Sequence, residues 1–221
     1  EQSGFNILKL NIDTMKECFF SYELQQGVYK KIIDTGFKKF ERNRYIQSGI
    51  SLRKNVLEYL DSLDIDIRCK SQKDLSLSDI FAFPTLKEEK KKGARFIRNI
   101  AEAMDYFSEQ RFIVLEGRRE YGKTALLKYV CKTYFQCDKY PVFIDVNKIT
   151  TAEGEELNRL VAQSYSLMYE NIEPEEILVK ERDDLICLID NLDSIHLADK
   201  TIKKVLQYLT NKFGIVIVTR N

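Results

Sequence analysis

The chain has 221 residues, 44% of them hydrophobic and 31% charged, enough for one large domain or for a core domain with a smaller appendage. Lys and Arg number 35 against 34 Asp and Glu, a net charge of +1, so the overall balance draws the chain neither to nucleic acid nor to an anionic membrane surface. No apolar run approaches the roughly 20 residues of a membrane-spanning helix.

The first residues do not read as a signal peptide. Of the five cysteines, Cys18, Cys69, Cys131, Cys137 and Cys187, none forms a C-x-x-C pair and one is left over in any full pairing, which predicts reduced thiols in a cytoplasmic protein. Cys187 lies in an apolar run and reads as packing. A single histidine, His196, argues against a His-built metal site or a Ser–His–Asp triad. The chain opens at Glu1 and closes at Asn221 directly after an apolar segment. It is expected to be a fragment of a longer protein.

Taken in chain order, residues 7–63 read as helical, best in 51–63, where Leu52, Val56, Leu57, Leu60 and Leu63 recur mostly at spacings of three and four. Basic residues dot 30–44 between Phe37, Phe40 and Tyr45. Acidic residues are mixed in, so a solvated helix face is the expected reading ahead of a nucleic-acid patch. Residues 1–75 are thus expected to form a helical adaptor or linker. Residues 76–93 read as a connecting segment, with Pro84 disfavouring helix at Phe83 and with 88–93 as a charged exposed loop.

Beyond Gly93 the pattern alternates. An amphipathic helix is predicted over 94–107, with Phe96, Ile97, Ile100 and Met104 on one face. Strands follow at 111–116, 142–146, 185–189 and 214–219, separated by helices at 123–135, 152–169 and 198–211. The strands are short continuous apolar runs, as in a parallel sheet covered on both faces. The expectation is an α/β fold, a three-layer αβα core over 94–221 with a parallel sheet of four strands.

The loop between the first of these strands and its helix reads Gly117-Arg118-Arg119-Glu120-Tyr121-Gly122-Lys123-Thr124, followed by Ala125. This is Gly, four residues, then Gly-Lys-Thr: a P-loop, in the strand-to-helix context its mechanism requires. Gly117 allows a tight exit from the strand and Gly122 a close approach of the backbone to phosphate. Inward N–H groups and the helix N-terminus form an anion cradle. Lys123 adds a full charge for the β- and γ-phosphates, and the Thr124 hydroxyl is a hard oxygen for Mg²⁺. Positions 117–125 are the candidate nucleotide-binding residues.

Asp190 ends the apolar run Leu185-Ile186-Cys187-Leu188-Ile189 and is the expected second anchor for Mg²⁺. Asn191 cannot act as a strong base, so Asp193 is the candidate for polarising the attacking water. Arg220, in Gly214-Ile215-Val216-Ile217-Val218-Thr219-Arg220, places a cation at the same sheet edge, where it could sense the γ-phosphate or stabilise developing charge. Lys123, Asp193 and Arg220 form the candidate catalytic set.

Together the loop at 117–124, the stretch Ile189-Asp190-Asn191-Leu192-Asp193 and Val218-Thr219-Arg220 resemble the STAND class of P-loop NTPases, and its NACHT branch most closely. The NACHT pattern at the second element is Asp-Gly-Leu-Asp-Glu; here Asn191 replaces Gly and Ser194 replaces Glu. In the loop, the family often has Gly where Glu120 stands. Residues 76–84 and 140–148 also look like bacterial members. The resemblance implies a sheet ordered 5-1-4-3-2, of which this chain supplies strands 1 to 4. It further implies ATP and Mg²⁺ as ligands, self-association through the NTPase core, and effector and sensor domains outside this segment. Many bacterial relatives act in anti-phage defence. The resulting expectation is a nucleotide-controlled, ATP-hydrolysing switch. Two alternatives stand beside it: a nucleotide-binding scaffold with negligible turnover, and a DNA-handling ATPase of the initiator or loader type.

Overall fold

The computed structural model describes the backbone of residues 4–11, 16–25, 28–34 and 38–39, and residues 50–63, 75–90 and 93–221 with their side chains except those of Glu89 and Lys90. The chain divides into two compact units, Glu1–Tyr45 and Ile46–Asn221.

In the first unit β1 (Gly4–Asn11), β2 (Lys16–Gln25) and β3 (Val28–Asp34) form an antiparallel meander, and β4 (Lys38–Lys39) pairs with β2. The register sets Ile7 opposite Phe20 and Leu24 opposite Tyr29, with an irregularity at Ser21 and Tyr22. The helical reading of 7–63 is therefore wrong over this stretch. Segments such as Lys-Glu-Cys-Phe-Phe-Ser-Tyr-Glu-Leu-Gln and Val-Tyr-Lys-Lys-Ile-Ile-Asp concentrate aromatic and β-branched side chains, which fit a pleated surface better than a helix. Of the basic stretch 30–44, residues 30–34 and 38–39 lie in β3 and β4, so this part of it is not a helix face; the rest lies outside the described residues. Phe37, Phe40 and Tyr45 lie outside the described residues.

The second unit opens with β5 (Ser51–Leu52), α1 (Lys54–Asp61) and α2 (Leu77–Ile80). Of the stretch 51–63, where the helical pattern is best, only Lys54–Asp61 is helical, and Ser51–Leu52 is a strand instead. Next come β6 (Leu86–Lys90) and β7 (Gly93–Ile97), an antiparallel hairpin. This corrects both the loop expected at 88–93 and the start of the helix expected at 94. Only Ile100–Ser108 is helical, as α3, because Asn99 caps it by accepting the Glu102 N–H at 2.9 Å while the Glu102 carboxylate accepts from Arg98 N at 2.8 Å.

From there the alternation follows the sequence closely: β8 (Phe112–Glu116), α4 (Lys123–Gln136), β9 (Tyr140–Phe143), α5 (Gly154–Met168), β10 (Tyr169–Glu170), α6 (Pro174–Leu178), β11 (Leu185–Ile189), α7 (Asp199–Lys212) and β12 (Ile215–Arg220). The strand expected at 142–146 starts and ends earlier, since Val146–Lys148 turns as a 3-10 helix capped by the Asp145 carboxylate.

β8, β12, β11 and β9 lie side by side in that order, all parallel. This is the order 1-4-3-2 within the arrangement that the resemblance implies. The chain first steps from β8 to β9 and then returns through β11 to β12. With right-handed crossovers, that reversal puts α4 on the face opposite to α5 and α7. Every residue of β11 is buried, as are Ile215 to Thr219 of β12. Each such aliphatic side chain contributes about 1.5–3 kcal/mol through burial. Cys187 is fully buried and its thiol is pushed far above its ordinary value by desolvation, so it packs as a small apolar group. Among the described residues β8 is paired on one side only, and its Phe112 and Val114 are partly exposed.

The short β5 pairs with β10, and Arg53 adds bonds from its backbone N to Met168 O and from Nε to Ser166 O, both 2.9 Å. These tie the segment that leads into α1 to the far end of α5. No helix among the described residues is long and apolar enough to cross a membrane.

Candidate functional site

The C-terminal ends of β8, β11 and β12 meet at one edge of the sheet, where ligands bind in open α/β folds. The backbone leaves β8 at Gly117, whose N–H still donates to Arg220 O at 3.3 Å. It then turns through Glu120 at φ 65° and Gly122 at φ 76°, both left-handed. Glu120 takes this conformation at a cost of about 1 kcal/mol that a glycine would avoid. α4 begins directly afterwards, with its first amides toward the loop.

Lys123 curls back over the loop. Its Nζ donates to Gly117 O at 2.5 Å, to Arg118 O at 2.8 Å and to Asn221 Oδ1 at 3.2 Å. The ammonium is therefore held by three oxygens, two of them carbonyls of the loop.

Thr124, one residue on, donates from Oγ1 to Asp190 Oδ2 at 2.6 Å. Asp190 follows the last residue of β11, so the fully apolar strand delivers one carboxylate to the edge where α4 begins. The other oxygen, Oδ1, accepts from Thr219 Oγ1 at 2.5 Å, and that same hydroxyl accepts the Asn191 N–H at 2.7 Å. Asn191 stands where the resembled pattern has Gly. It sits at φ 55°, the left-handed region that Asn tolerates better than other residues with a Cβ.

Strand alternation separates Thr219 from Arg220. Thr219 is buried and faces Asp190, whereas the Arg220 guanidinium lies 3.3 Å from Glu116 Oε1 on β8 and 4.0 Å from Asp193 Oδ1. Asp193 Oδ2 accepts the Asn221 N–H at 2.7 Å. Asp193 and Arg220 thus form a pair of their own beside the loop.

A cleft of about 800 Å³ opens in front of these groups. It is lined by Arg119, Glu120, Tyr121, Gly122, Lys123, Thr124 and Ala125 of the loop and the start of α4, and by Asp190, Asn191, Thr219 and Asn221. The rest of the lining is an apolar wall: Leu63, Leu77, Ile80, Phe81, Ala82 and Pro84, with Ser62. Of the residues expected from sequence, Gly117 and Arg118 serve through carbonyls that hold Lys123, and Asp193 and Arg220 are not among the lining residues. The sequence places Thr219 at this sheet edge as a polar group but does not show its contact with Asp190, and the apolar wall was not foreseen. A signal for Thr219 was present, because two adjacent residues on a strand face opposite ways and only one of Thr219 and Arg220 can reach Asp190.

The donor set fits Mg²⁺. Thr124 Oγ1 and Asp190 Oδ2 are hard oxygens 2.6 Å apart, and neighbouring oxygens of a six-coordinate Mg²⁺ lie about 2.9 Å apart, at metal distances of about 2.0–2.1 Å. Two protein ligands completed by water and phosphate oxygens are the usual environment of this ion. Among the described residues there is no cluster of three or more His, Cys, Asp or Glu that would hold a metal by protein ligands alone. Comparison with family models, with curated proteins and with solved structures finds no match to this chain.

Proposed function

We propose that the cleft binds a nucleoside triphosphate together with Mg²⁺, and that the chain is the ATP-hydrolysing switch module of a STAND/NACHT-like signalling protein that self-associates, as in bacterial anti-phage defence. The observation that carries the reading is the meeting of Thr124 and Asp190, 66 residues apart in sequence, at 2.6 Å beside the Lys123 loop. A glycine-bounded turn does not require that juxtaposition; a phosphate-bound cation does.

In this reading the loop amides and Lys123 receive the β- and γ-phosphates, whose oxygens replace the carbonyls that Lys123 now holds. Arg119, in the same loop, adds a second cation. Thr124 and Asp190 hold Mg²⁺, which would neutralise phosphate charge. The base and ribose lie against the apolar wall formed by Leu77, Ile80, Phe81 and Pro84, so the cleft is amphipathic in the way a nucleotide is.

The engagement of Asp193 by Asn221 N and Arg220 favours a second reading, a nucleotide-binding scaffold with negligible turnover. A carboxylate occupied as a structural acceptor is a poor base until it is released.

Titration with a fluorescent ATP analogue at fixed Mg²⁺ tests the first claim. Lys123→Ala removes charge-assisted bonds of about 1.5–3 kcal/mol, so affinity is expected to fall roughly 10- to 100-fold. Equal binding by wild type and variant would exclude the cleft as the site. Phosphate release by wild type against Asp193→Ala separates a switch that hydrolyses from a scaffold that does not.

A further inference from the structure

The apolar wall of the cleft is not part of the sheet. It belongs to the residues that follow α1, to α2 and to the residues that follow α2, and it packs on α4. The face of α4 that enters the cleft with Thr124 and Ala125 continues at four-residue steps through Lys128 and Tyr129 to Lys132. Each of these later residues grips the wall. Lys128, fully buried, directs its Nζ to Ser62 O at 3.3 Å and to Ser62 Oγ at 3.2 Å, and lies 4.4 Å from the centre of the Tyr59 ring. Tyr129 stacks on Phe81 with ring centres 4.3 Å apart.

The third grip is a closed triangle. Lys132 Nζ donates to Asp61 Oδ1 and to Ser78 Oγ, both at 2.7 Å, and Ser78 Oγ donates to the same Asp61 oxygen at 2.7 Å. Asp61 ends α1 and Ser78 lies in α2, 17 residues later. One lysine on α4 therefore holds together the two pieces of chain that make the wall. It does so about 12 Å along the helix from Thr124, at 1.5 Å per residue.

We propose that Asp61, Ser78 and Lys132 form a positioning latch that sets the apolar wall at the distance from the phosphate loop where a nucleoside fits, and so determine how much the nucleoside half of a ligand adds to the phosphate half. This rests on the nucleotide reading of the cleft. None of the three residues touches the ligand; they act through Leu77, Ile80 and Phe81. Loosening the latch leaves the loop and the start of α4 in place, and spreads the wall over several positions of which only one accepts the base.

The test measures binding of two probes, ATP and inorganic tripolyphosphate, by calorimetry at one Mg²⁺ concentration. Asp61→Asn and Lys132→Met are expected to weaken ATP roughly three- to ten-fold, while tripolyphosphate stays within about two-fold. Exchanging the pair, Asp61→Lys with Lys132→Asp, is expected to recover most of the ATP affinity. Ser78→Ala, a milder change, serves if either charge variant fails to fold. Equal losses for both probes would mean that the cluster only stabilises α4, and unchanged ATP affinity would mean that the wall holds without it; either result overturns the latch. A wild-type protein that binds tripolyphosphate as tightly as ATP also overturns it, because the wall then adds nothing. Failure of the wild type to bind either probe would instead remove the nucleotide reading, and the latch with it.

Discussion

Thr219 Oγ1 donates to Asp190 Oδ1 between neighbouring parallel strands, and the same oxygen accepts the Asn191 N–H. One buried hydroxyl thereby orients the carboxylate that faces Thr124 and anchors the left-handed turn behind it. Nothing else in β12 reaches that side of the sheet edge with a polar group, since Arg220 turns to Glu116.

Thr219→Val keeps the shape of the side chain and removes both bonds. The Asn191 amide loses its partner, which costs about 1–3 kcal/mol, and Asp190 is freed to rotate. Urea unfolding is expected to show that loss of stability, and nucleotide titration a weaker dependence on Mg²⁺. Thr219→Ser retains the hydroxyl and is expected to stay close to wild type in both measurements.

Asp61 makes the stability of the wall depend on acid. Burial pushes its carboxyl up, but hydrogen bonds from Lys132 and Ser78, with the charge of Lys132, outweigh it and hold the group below its ordinary value of 3.8. A carboxylate depressed in the folded state stabilises fully above its unfolded value and ceases to do so as pH falls through its folded value. Wild type is therefore expected to exceed Asp61→Asn by up to about 1 kcal/mol near neutral pH, the scale of a partly exposed pair. The gap is expected to close below pH 3.8. Thermal melts of both proteins across that range check it; a gap independent of pH would assign the difference to something other than this charge.

Gly214 leads into β12 with no room for a side chain. A Cβ there would lie 2.6 Å from Asp183 Cα and 2.8 Å from Arg182 O, both backbone atoms. The Arg182 guanidinium is itself bonded to Phe213 O at 2.9 Å and to Thr210 O, so the neighbouring turn is held in place. Gly214→Ala is expected to destabilise by about 1–3 kcal/mol, read by denaturant unfolding, with β12 displaced relative to β11.

The parallel sheet was legible because its strands announce themselves locally. Leu185 to Ile189 and Ile215 to Val218 are unbroken apolar runs of strand length, alternating with longer helical patterns, as in a parallel sheet covered on both faces. Legible too was the loop, because Gly117, Gly122, Lys123 and Thr124 occupy fixed offsets between a strand and a helix. The first unit misled for another reason. The helical reading takes its apolar residues at helical spacing, although Cys18, Phe20, Tyr22 and Leu24 alternate along β2, which pairs with the neighbouring strands β1 and β3.

By itself, then, the sequence determined that the loop at 117–124 would lie between a strand and a helix and that Asp190 would stand at the end of a buried strand, since both follow from residues adjacent in the chain. Tertiary structure alone decided which side chains complete the site. Thr124 reaches Asp190 across 66 residues, Lys132 reaches Asp61 across 71, and the wall of Leu77, Ile80 and Phe81 faces the loop only because α4 carries both. Contacts over such separations depend on how strands are ordered and helices packed, and no local spacing encodes that.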